Sequence, residues 1–408
     1  MDVLRGFALL GILLLNILGF GLPSAAYFNP AIDGATTGLN FFTWATVDVL
    51  FEGSMRCLFS ILFGAGVVLF TTGSRAKGAL VHYKRNFLLL ILGLIDVVVL
   101  LWDGDILVTY AVSGAILFVV RNQTSRWLLT AATVLIILMS LQYLVMGAGL
   151  SIIRDYVNSS DAQTETTAEL REGIRTWNDF KRDFAPEDDA IEEELRIRRD
   201  SYASVWMKIV KKLPELYTFQ LPVFMLADAL AMMLIGMALY KADVLSAGRS
   251  IAFYTRIAIL GFAIGLSVNL YEVIRTVVSD FDVLVAFAFM KPTYHIGRLG
   301  MAAGYLALVM LVCRRGLLPW LTNKLAAVGR MALTNYLSHS FICMLIFTGA
   351  GLALVGELDR WMLYVIVLAI WLFQLFFSDW WLTIFKFGPV EWIWRALTYG
   401  SMPEMKRS

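Results

Sequence analysis

Residues 4–22, LRGFALLGILLLNILGFGL, form an apolar run in which Arg5 is the only charged residue. About 20 mainly apolar residues are enough for a helix to cross the hydrocarbon core of a bilayer. A short charged start before an apolar run is also typical of secretory signals, but Asp2 weakens the positive start that such signals need. We therefore interpret this stretch as a retained first transmembrane helix.

The rest of the chain has the same character. Of its 408 residues, 59% are hydrophobic and only 16% are charged, whereas soluble domains carry about half and about a quarter. This predicts an all-α, polytopic transmembrane helix bundle with about ten spans. The predicted spans run roughly over 4–22, 44–71, 86–102, 105–121, 127–149, 217–240, 252–275, 296–313, 331–355 and 361–382. The stretch 281–290, before His295, is apolar but short, which suggests a re-entrant or interfacial piece.

The loops predict the orientation. Lys and Arg concentrate in alternate loops, beginning with 72–85, whereas the loops 23–43 and 103–104 contain neither residue. Basic loops stay in the cytoplasm, so both the N-terminal and the C-terminal segments are predicted to be cytoplasmic. The formal net charge is only +2, which gives no sign of a nucleic-acid partner.

Two segments are predicted to lie outside the hydrocarbon core. Residues 150–203 are polar and fall on the outer side, where they form either a solvated spacer or a lid over a substrate. The segment 201–217 after it suggests an amphipathic helix with Trp206 and Ile209 facing lipid. Residues 388–400 suggest a short interfacial helix, in which Glu391 and Arg395 are spaced to pair.

Ionisable residues inside a span are costly, so each indicates a functional site or a structural pair. Asp48, Glu52 and Arg56 are spaced to stack on one face of the second predicted span. Two carboxylates beside a cation suit general acid–base chemistry, and we predict Asp48 and Glu52 as catalytic. The same arrangement also suits a buried ion network that pairs helices.

Asp96 lies well inside the third predicted span, and Asp103 and Asp105 follow it at the outer surface. The Asp-Gly-Asp sequence is a fragment of a calcium loop, but a tight turn at Gly104 explains it. Three histidines and three cysteines are scattered along the chain, so we predict no metal site.

Later spans add further candidates. His339, one turn after Asn335, is either a neutral histidine bonded to neighbouring helices or a general base or proton relay. The predicted binding residues are Arg5, Asn16, Arg56, Asp96, Asp103, Asp105, Glu272, Arg298, Arg330 and Asn335.

Several motifs carry a resemblance to a known family. They are FSILFGAG at 59–66, GDILVTYAVSGAIL at 104–117, GRMALTNYLSHS at 329–340 and GPVEWIWRALTYG at 388–400. Together with the first span they resemble the DUF418 (YeiB-like) family of bacterial membrane proteins. The resemblance implies a multi-pass protein of the bacterial cell (inner) membrane.

The first span also resembles the opening helix of membrane acyltransferases, namely the acyltransferase-3 proteins and heparan-alpha-glucosaminide N-acetyltransferase. These pass an acyl group from cytoplasmic acyl-CoA to an acceptor across the bilayer. In acyltransferase-3 proteins a histidine follows later in this helix, and the matching position here is Asn16. The heparan enzyme has an aspartate that matches Asp48.

These features lead to three hypotheses. The first is an acyltransferase that takes acyl-CoA or acetyl-CoA as donor and a lipid or glycan as acceptor. In it Arg5 would bind the CoA phosphates and Asp48 or Glu52 would be the general base, with His339 as an alternative base. The second is a proton-coupled transporter or flippase of a small polar or lipid-linked solute that uses Asp96 and Asp228. The third is a non-catalytic membrane partner protein acting through 150–203. The oligomeric state is left open.

Overall fold

The structure, a computed structural model, describes residues 1–72, 78–158, 168–286 and 291–407, and in these ranges it contains helices and no β-strand. The first half of the chain forms α1 (Asp2–Gly21), α2 (Gly38–Phe51), α3 (Ser54–Thr71), α4 (Ala79–Val98), α5 (Leu107–Val120), α6 (Ser125–Val157), α7 (Ala168–Phe184) and α8 (Asp188–Asp200). The second half forms α9 (Tyr202–Glu215), α10 (Leu226–Lys241), α11 (Ile251–Val278), α12 (Val283–Val285), α13 (Lys291–Arg314), α14 (Pro319–Arg330), α15 (Ala332–Phe347), α16 (Arg360–Ile384) and α17 (Pro389–Tyr399).

In the described part of the chain, seven helical stretches are long and apolar enough to cross a membrane, and two further apolar helices, α5 and α15, are shorter. The seven are Asp2–Gly21, Gly38–Thr71, Ser125–Val157, Tyr202–Lys241, Ile251–Val278, Pro292–Arg314 and Arg360–Ile384. A helix satisfies its own backbone hydrogen bonds, as a bilayer requires. The prediction of an all-α, multi-pass membrane protein is therefore confirmed, while the number of ten spans and the cytoplasmic termini stay predictions.

One end of the bundle, here called the basic end, gathers the start of α1, the start of α4 and the helices α14 and α17. Arg5 donates a hydrogen bond to the carbonyl oxygen of Gly329 (3.3 Å), and Trp394 donates to that of Arg85 (3.2 Å). α1 and α14 touch through glycines, because a methyl group on Gly6 would lie 2.0 Å from the Leu325 carbonyl oxygen. This contact brings the N-terminal residues against the second half of the chain.

The opposite end, here called the cap end, is covered by α8. The guanidinium of Arg198 donates to the carbonyl oxygens of Gly19 (2.8 Å), Phe20 (2.7 Å) and Leu22 (2.8 Å), which the last turn of α1 leaves without helical partners. A cation also complements the negative end of the α1 dipole. The polar segment 150–203 is thus largely helical where it is described, and α8 docks on the bundle.

The stacking of Asp48, Glu52 and Arg56 on one helical face of the predicted span 44–71 is wrong. The helix breaks between α2 and α3, where Glu52 leaves the helical region (φ −52°, ψ 125°) and Gly53 takes the left-handed conformation (φ 64°). Glycine adopts that conformation at little cost because it has no Cβ. Asp48, Glu52 and Arg56 consequently do not stack on one helical face.

The segment after α8 also differs from expectation. α9 does not end before the next span but continues through a π-helical segment, Leu216–Met225, into α10. Ile209, expected to face lipid, is buried beside Val97 and Met344. Trp206, by contrast, is exposed as predicted. Part of the amphipathic stripe is therefore buried against protein, which presents the same apolar surface to a helix as lipid does. Of the short apolar stretch 281–290, residues 287–290 lie outside the described residues, so its re-entrant interpretation stays a prediction.

Candidate functional site

A cavity of about 450 Å³ opens at the basic end. α1, α3, α4, α5, α14, α15 and α17 each contribute to its lining. Its walls are mainly apolar, with Phe59, Leu62 and Phe63 from α3 facing Leu89 from α4. A cavity with apolar walls and a few placed polar groups is the usual form of a small-molecule site.

Four arginines, the mouth arginines, line this cavity: Arg5, Arg85, Arg330 and Arg395. Arg5 bonds Asp2 (3.1 Å) and the Gly329 carbonyl oxygen. Arg85, Arg330 and Arg395 have no hydrogen-bond acceptor among the described residues. Because a guanidinium carries five N–H donors, this mouth presents donors to an anion from outside the chain.

Two of the mouth arginines are held by aromatic rings. The guanidinium of Arg85 lies 3.8 Å from the ring centre of Phe70 and 4.4 Å from that of Trp394. That of Arg395 lies 4.5 Å from the ring centre of Phe387. Cation–π contacts fix the guanidinium plane without using its N–H donors, so both side chains are oriented yet remain able to bind.

The inner end of the cavity carries polar groups of a different kind. The hydroxyls of Ser60 and Tyr110 lie 2.6 Å apart. The Tyr336 hydroxyl accepts a hydrogen bond from the Ile106 N–H (3.2 Å) and donates one to Oδ1 of Asp105 (3.3 Å). Tyr110 and Tyr336 are buried and line the cavity, so the cavity runs from cations at its mouth to hydroxyls at its inner end.

Glu391 fixes α17 across the cavity. Its carboxylate accepts from the N–H groups of Leu333 (2.7 Å) and Thr334 (3.0 Å) at the start of α15. Burial raises the pKa of Glu391, although these hydrogen bonds counteract it. The pairing expected between Glu391 and Arg395 is wrong, because the start of α15 offers Glu391 better donors and Arg395 turns to Phe387.

A second polar cluster lies at the break between α2 and α3. The Tyr294 hydroxyl accepts from Nη2 of Arg56 (3.0 Å) and donates to Oε1 of Glu52 (3.2 Å). Tyr294 packs so closely that a side chain at Gly53 would strike its hydroxyl. Glu52 and Arg56 therefore do meet, but through α13 rather than through helical spacing.

Arg298 extends this cluster. Its guanidinium, 1% exposed, pairs with both carboxylate oxygens of Asp228 on α10 and lies 2.7 Å from Nδ1 of His295. A buried arginine must be paired, because an isolated charge in the interior is very costly. Arg298, predicted as a binding residue, has an internal partner that the sequence did not indicate.

α3 connects the two sites. Glu52 precedes Gly53, which caps the start of α3, whereas Phe59 on α3 lines the cavity. With about 1.5 Å of rise per residue, Ser54 at the start of α3 and Phe59 are roughly 8 Å apart along the helix axis. About one and a half turns of α3 therefore join the two sites.

The remaining predicted residues lie elsewhere. Asn16 is partly buried on α1 and does not line the cavity; nor does His339, whose Nε2 bonds Gln374 (2.8 Å). Three others have local partners. Asn335 donates to Ser378 (2.9 Å), Asp103 accepts from Lys212 (2.9 Å), and Glu272 accepts from Thr293 (2.6 Å). Burial would raise the pKa of Asp103, but Lys212 holds it below its usual value.

Sequence reasoning missed several lining residues, among them His82, Arg85, Tyr110, Tyr336 and Arg395. Arg85 was interpreted only as a topology signal, and Tyr336 lay unnoticed inside the quoted motif GRMALTNYLSHS. The co-occurrence of Arg5, Arg85, Arg330 and Arg395 at span ends on one side was the available signal. These four arginines form one site only when the helices that carry them pack together.

Comparison with known proteins identifies relatives of this chain. Residues 239–401 match the family described as "Protein of unknown function (DUF418)". The chain is 33% identical to "Uncharacterized protein YeiB" of Escherichia coli (strain K12), over 98% of this chain and 95% of that protein. It is 28% identical to "Uncharacterized protein YxaH" of Bacillus subtilis (strain 168), over 98% and 93%. No solved structure matches.

Proposed function

The chain belongs to the DUF418 family, and from that premise we propose that it is a membrane acyltransferase whose phosphate-bearing acyl donor enters at the basic end. The observation that carries the proposal is the cavity of about 450 Å³ with apolar walls and four mouth arginines, three of which have no acceptor among the described residues. This arrangement suits an amphiphilic anion such as acyl-CoA or acetyl-CoA. The membrane in this proposal is the inner membrane, with the basic end in the cytoplasm.

The mouth arginines would bind the donor phosphates. Arg85 and Arg395, already oriented by aromatic rings, lose little rotamer freedom when they bind. The acyl chain would then lie along the apolar wall of Phe59 and Phe63. Its thioester would reach the level of Tyr110 and Tyr336.

Glu52 is the proposed general base. The hydroxyl or amine of a lipid or glycan acceptor would attack the thioester carbonyl carbon, and the Glu52 carboxylate would take the proton that the attacking atom loses. The carbon–sulfur bond breaks, and CoA leaves as a thiolate that takes up a proton. Tyr294, bonded to both Glu52 and Arg56, would position the carboxylate.

The first test is ligand binding by the purified protein in detergent. Its melting temperature is measured with acetyl-CoA, longer acyl-CoAs, free CoA and ATP. A ligand at 100 times its dissociation constant adds about 2.7 kcal/mol to the free energy of unfolding. A shift with CoA species and none with ATP supports the proposal, and no shift with any CoA species rejects it.

The second test is transfer itself. Labelled acetyl-CoA is incubated with reconstituted protein and a membrane lipid or glycan extract, and covalent product is counted. Glu52→Gln should lower transfer by about 100-fold, the lower range for loss of a general base, while leaving the CoA-induced melting shift intact. Glu192→Gln, exposed on α8, is the matched control and should transfer at the wild-type rate.

A proton-coupled transporter or flippase is the second candidate, and the helix break at Gly53 favours it. Broken helices near the middle of a bundle commonly build transporter binding sites. The break lies beside the buried Arg298–Asp228 pair. Solute uptake driven by a proton gradient, with no covalent product, would favour this candidate over the acyltransferase.

A further inference from the structure

Asp96 on α4 is fully buried, with 0% of its surface exposed. Neither carboxyl oxygen has a hydrogen-bond partner among the described residues. Among the described residues its polar neighbours are Asp105 and Ser340, and no lysine or arginine of that part of the chain acts on it. An ionised carboxylate in such surroundings is strongly disfavoured, and only the Ser340 hydroxyl counteracts this.

Asp105 has better partners. Its Oδ2 accepts from the N–H of Val108 (2.9 Å) at the start of α5, and its Oδ1 accepts from the Tyr336 hydroxyl. It stands against Asp96 in the interior and is itself 4% exposed. Two adjacent carboxyl groups in a low-dielectric interior cannot both carry a negative charge at low cost.

Besides the two carboxyl groups, the described side chains that act on this pair carry hydroxyl groups. α15 contributes Tyr336 and Ser340, and the π-helical segment contributes Tyr217. Tyr336 also lines the cavity, so it contacts Asp105 of the acid pair on one side and the cavity on the other.

We propose that Asp96 and Asp105 hold one proton in the bundle interior and deliver it through the Tyr336 hydroxyl to the inner end of the cavity. This use of the proton rests on the acyltransferase proposal. When the carbon–sulfur bond breaks, the Tyr336 O–H protonates the departing thiolate while Tyr336 takes the proton of the acid pair. The pair, doubly negative only during this step, then takes up the proton that Glu52 gained and is singly protonated again.

The protonated pair has a spectroscopic test that needs no activity. A protonated carboxyl group absorbs in the infrared at a carbonyl stretching position distinct from the carboxylate bands. The reconstituted wild type should show this band at neutral pH, and Asp96→Asn should remove it. Asp379→Asn, which deletes an ionised carboxylate paired with Lys324, should leave the band unchanged.

The relay has a kinetic test. Tyr336→Phe should keep the infrared band and the CoA-induced melting shift but lower acyl transfer by about 100-fold. Asp96→Asn should lower transfer as well and alter its pH profile, and Ser151→Ala, which removes a hydroxyl on α6 that, among the described residues, bonds only the Gly147 carbonyl oxygen, should change neither.

Two results would overturn the proposal. One is a wild type without the carboxyl band, or with a band that Asp96→Asn does not remove. The other is a Tyr336→Phe protein that transfers at the wild-type rate. A band removed by Asp96→Asn supports the protonated pair even if no CoA species binds, so this inference and the acyltransferase proposal fail separately.

Discussion

Arginines at the two ends of the bundle have opposite surroundings. At the cap end, Arg198 donates to three backbone carbonyls and Arg360 forms a bidentate pair with Asp33 (2.8 and 2.7 Å). At the basic end, Arg85 and Arg330 line a cavity and have no acceptor among the described residues. The same residue type thus completes the fold at one end and remains available to a ligand at the other.

This difference indicates which arginines are available to bind a ligand. A guanidinium whose donors are used up inside the chain contributes to stability, and its removal leaves buried carbonyls unsatisfied. One that is oriented by aromatic rings while its donors stay unused contributes little to the fold. The two classes of arginine differ in whether their N–H donors bind acceptors inside the chain, rather than in charge or in position in the sequence.

The largest expected effect is at the cap end. Arg198→Met should lower the free energy of unfolding by about 3–5 kcal/mol, because it leaves three buried carbonyl oxygens without their hydrogen-bond donor. Thermal unfolding in detergent measures the change. Arg196→Met is the control on the same helix, since Arg196 is exposed and pairs with Glu193; equal losses in both variants would contradict the comparison.

The next effect is at the basic end and should appear in binding rather than in stability. The double variant Arg85→Gln with Arg330→Gln should weaken acyl-CoA binding about tenfold, or roughly 0.7 kcal/mol for each contact at a solvated mouth. Its unfolding without ligand should match the wild type. Arg315→Gln, exposed at the same end and outside the cavity lining, should bind as the wild type does.

Acidification should weaken the cap end. Burial would raise the pKa of Glu194, but Lys208 (2.9 Å), Arg198 and Ser24 hold it below the usual value. The stabilisation is therefore complete above the unfolded-state pKa of about 4.3 and is lost as the pH falls through the lower folded-state pKa. Melting temperatures measured across this range should fall less steeply for Glu194→Gln than for wild type; parallel curves would contradict this assignment.

The smallest effect is that of salt. Raising the ionic strength from about 0.1 M to 1 M shortens the screening length from about 10 Å to about 3 Å. Acyl-CoA binding at the solvated mouth should weaken by a few fold, whereas unfolding without ligand should change little because Arg198 and Arg360 are buried. Binding that is independent of salt would argue against phosphate recognition by the mouth arginines.

The sequence by itself determined the membrane fold. Apolar runs of bilayer length predicted the helices, because hydrophobicity and helix length are local properties. The concentration of basic residues at alternate span ends predicted one basic end, where the cavity opens. Ionisable residues within spans also indicated Glu52, Asp96 and Arg298 as candidates, since the cost of burying charge is visible in the sequence alone.

Only the tertiary structure decided which of these residues meet. Tyr294 joins Glu52 to Arg56, Arg298 pairs with Asp228, and Tyr336 reaches Asp105, across gaps of 242, 70 and 231 residues. No local pattern records such contacts, because they depend on how distant helices pack. The helix break at Gly53 likewise depends on how distant helices pack. Its glycine permits the left-handed backbone, but the packing of Tyr294 against it selects that conformation.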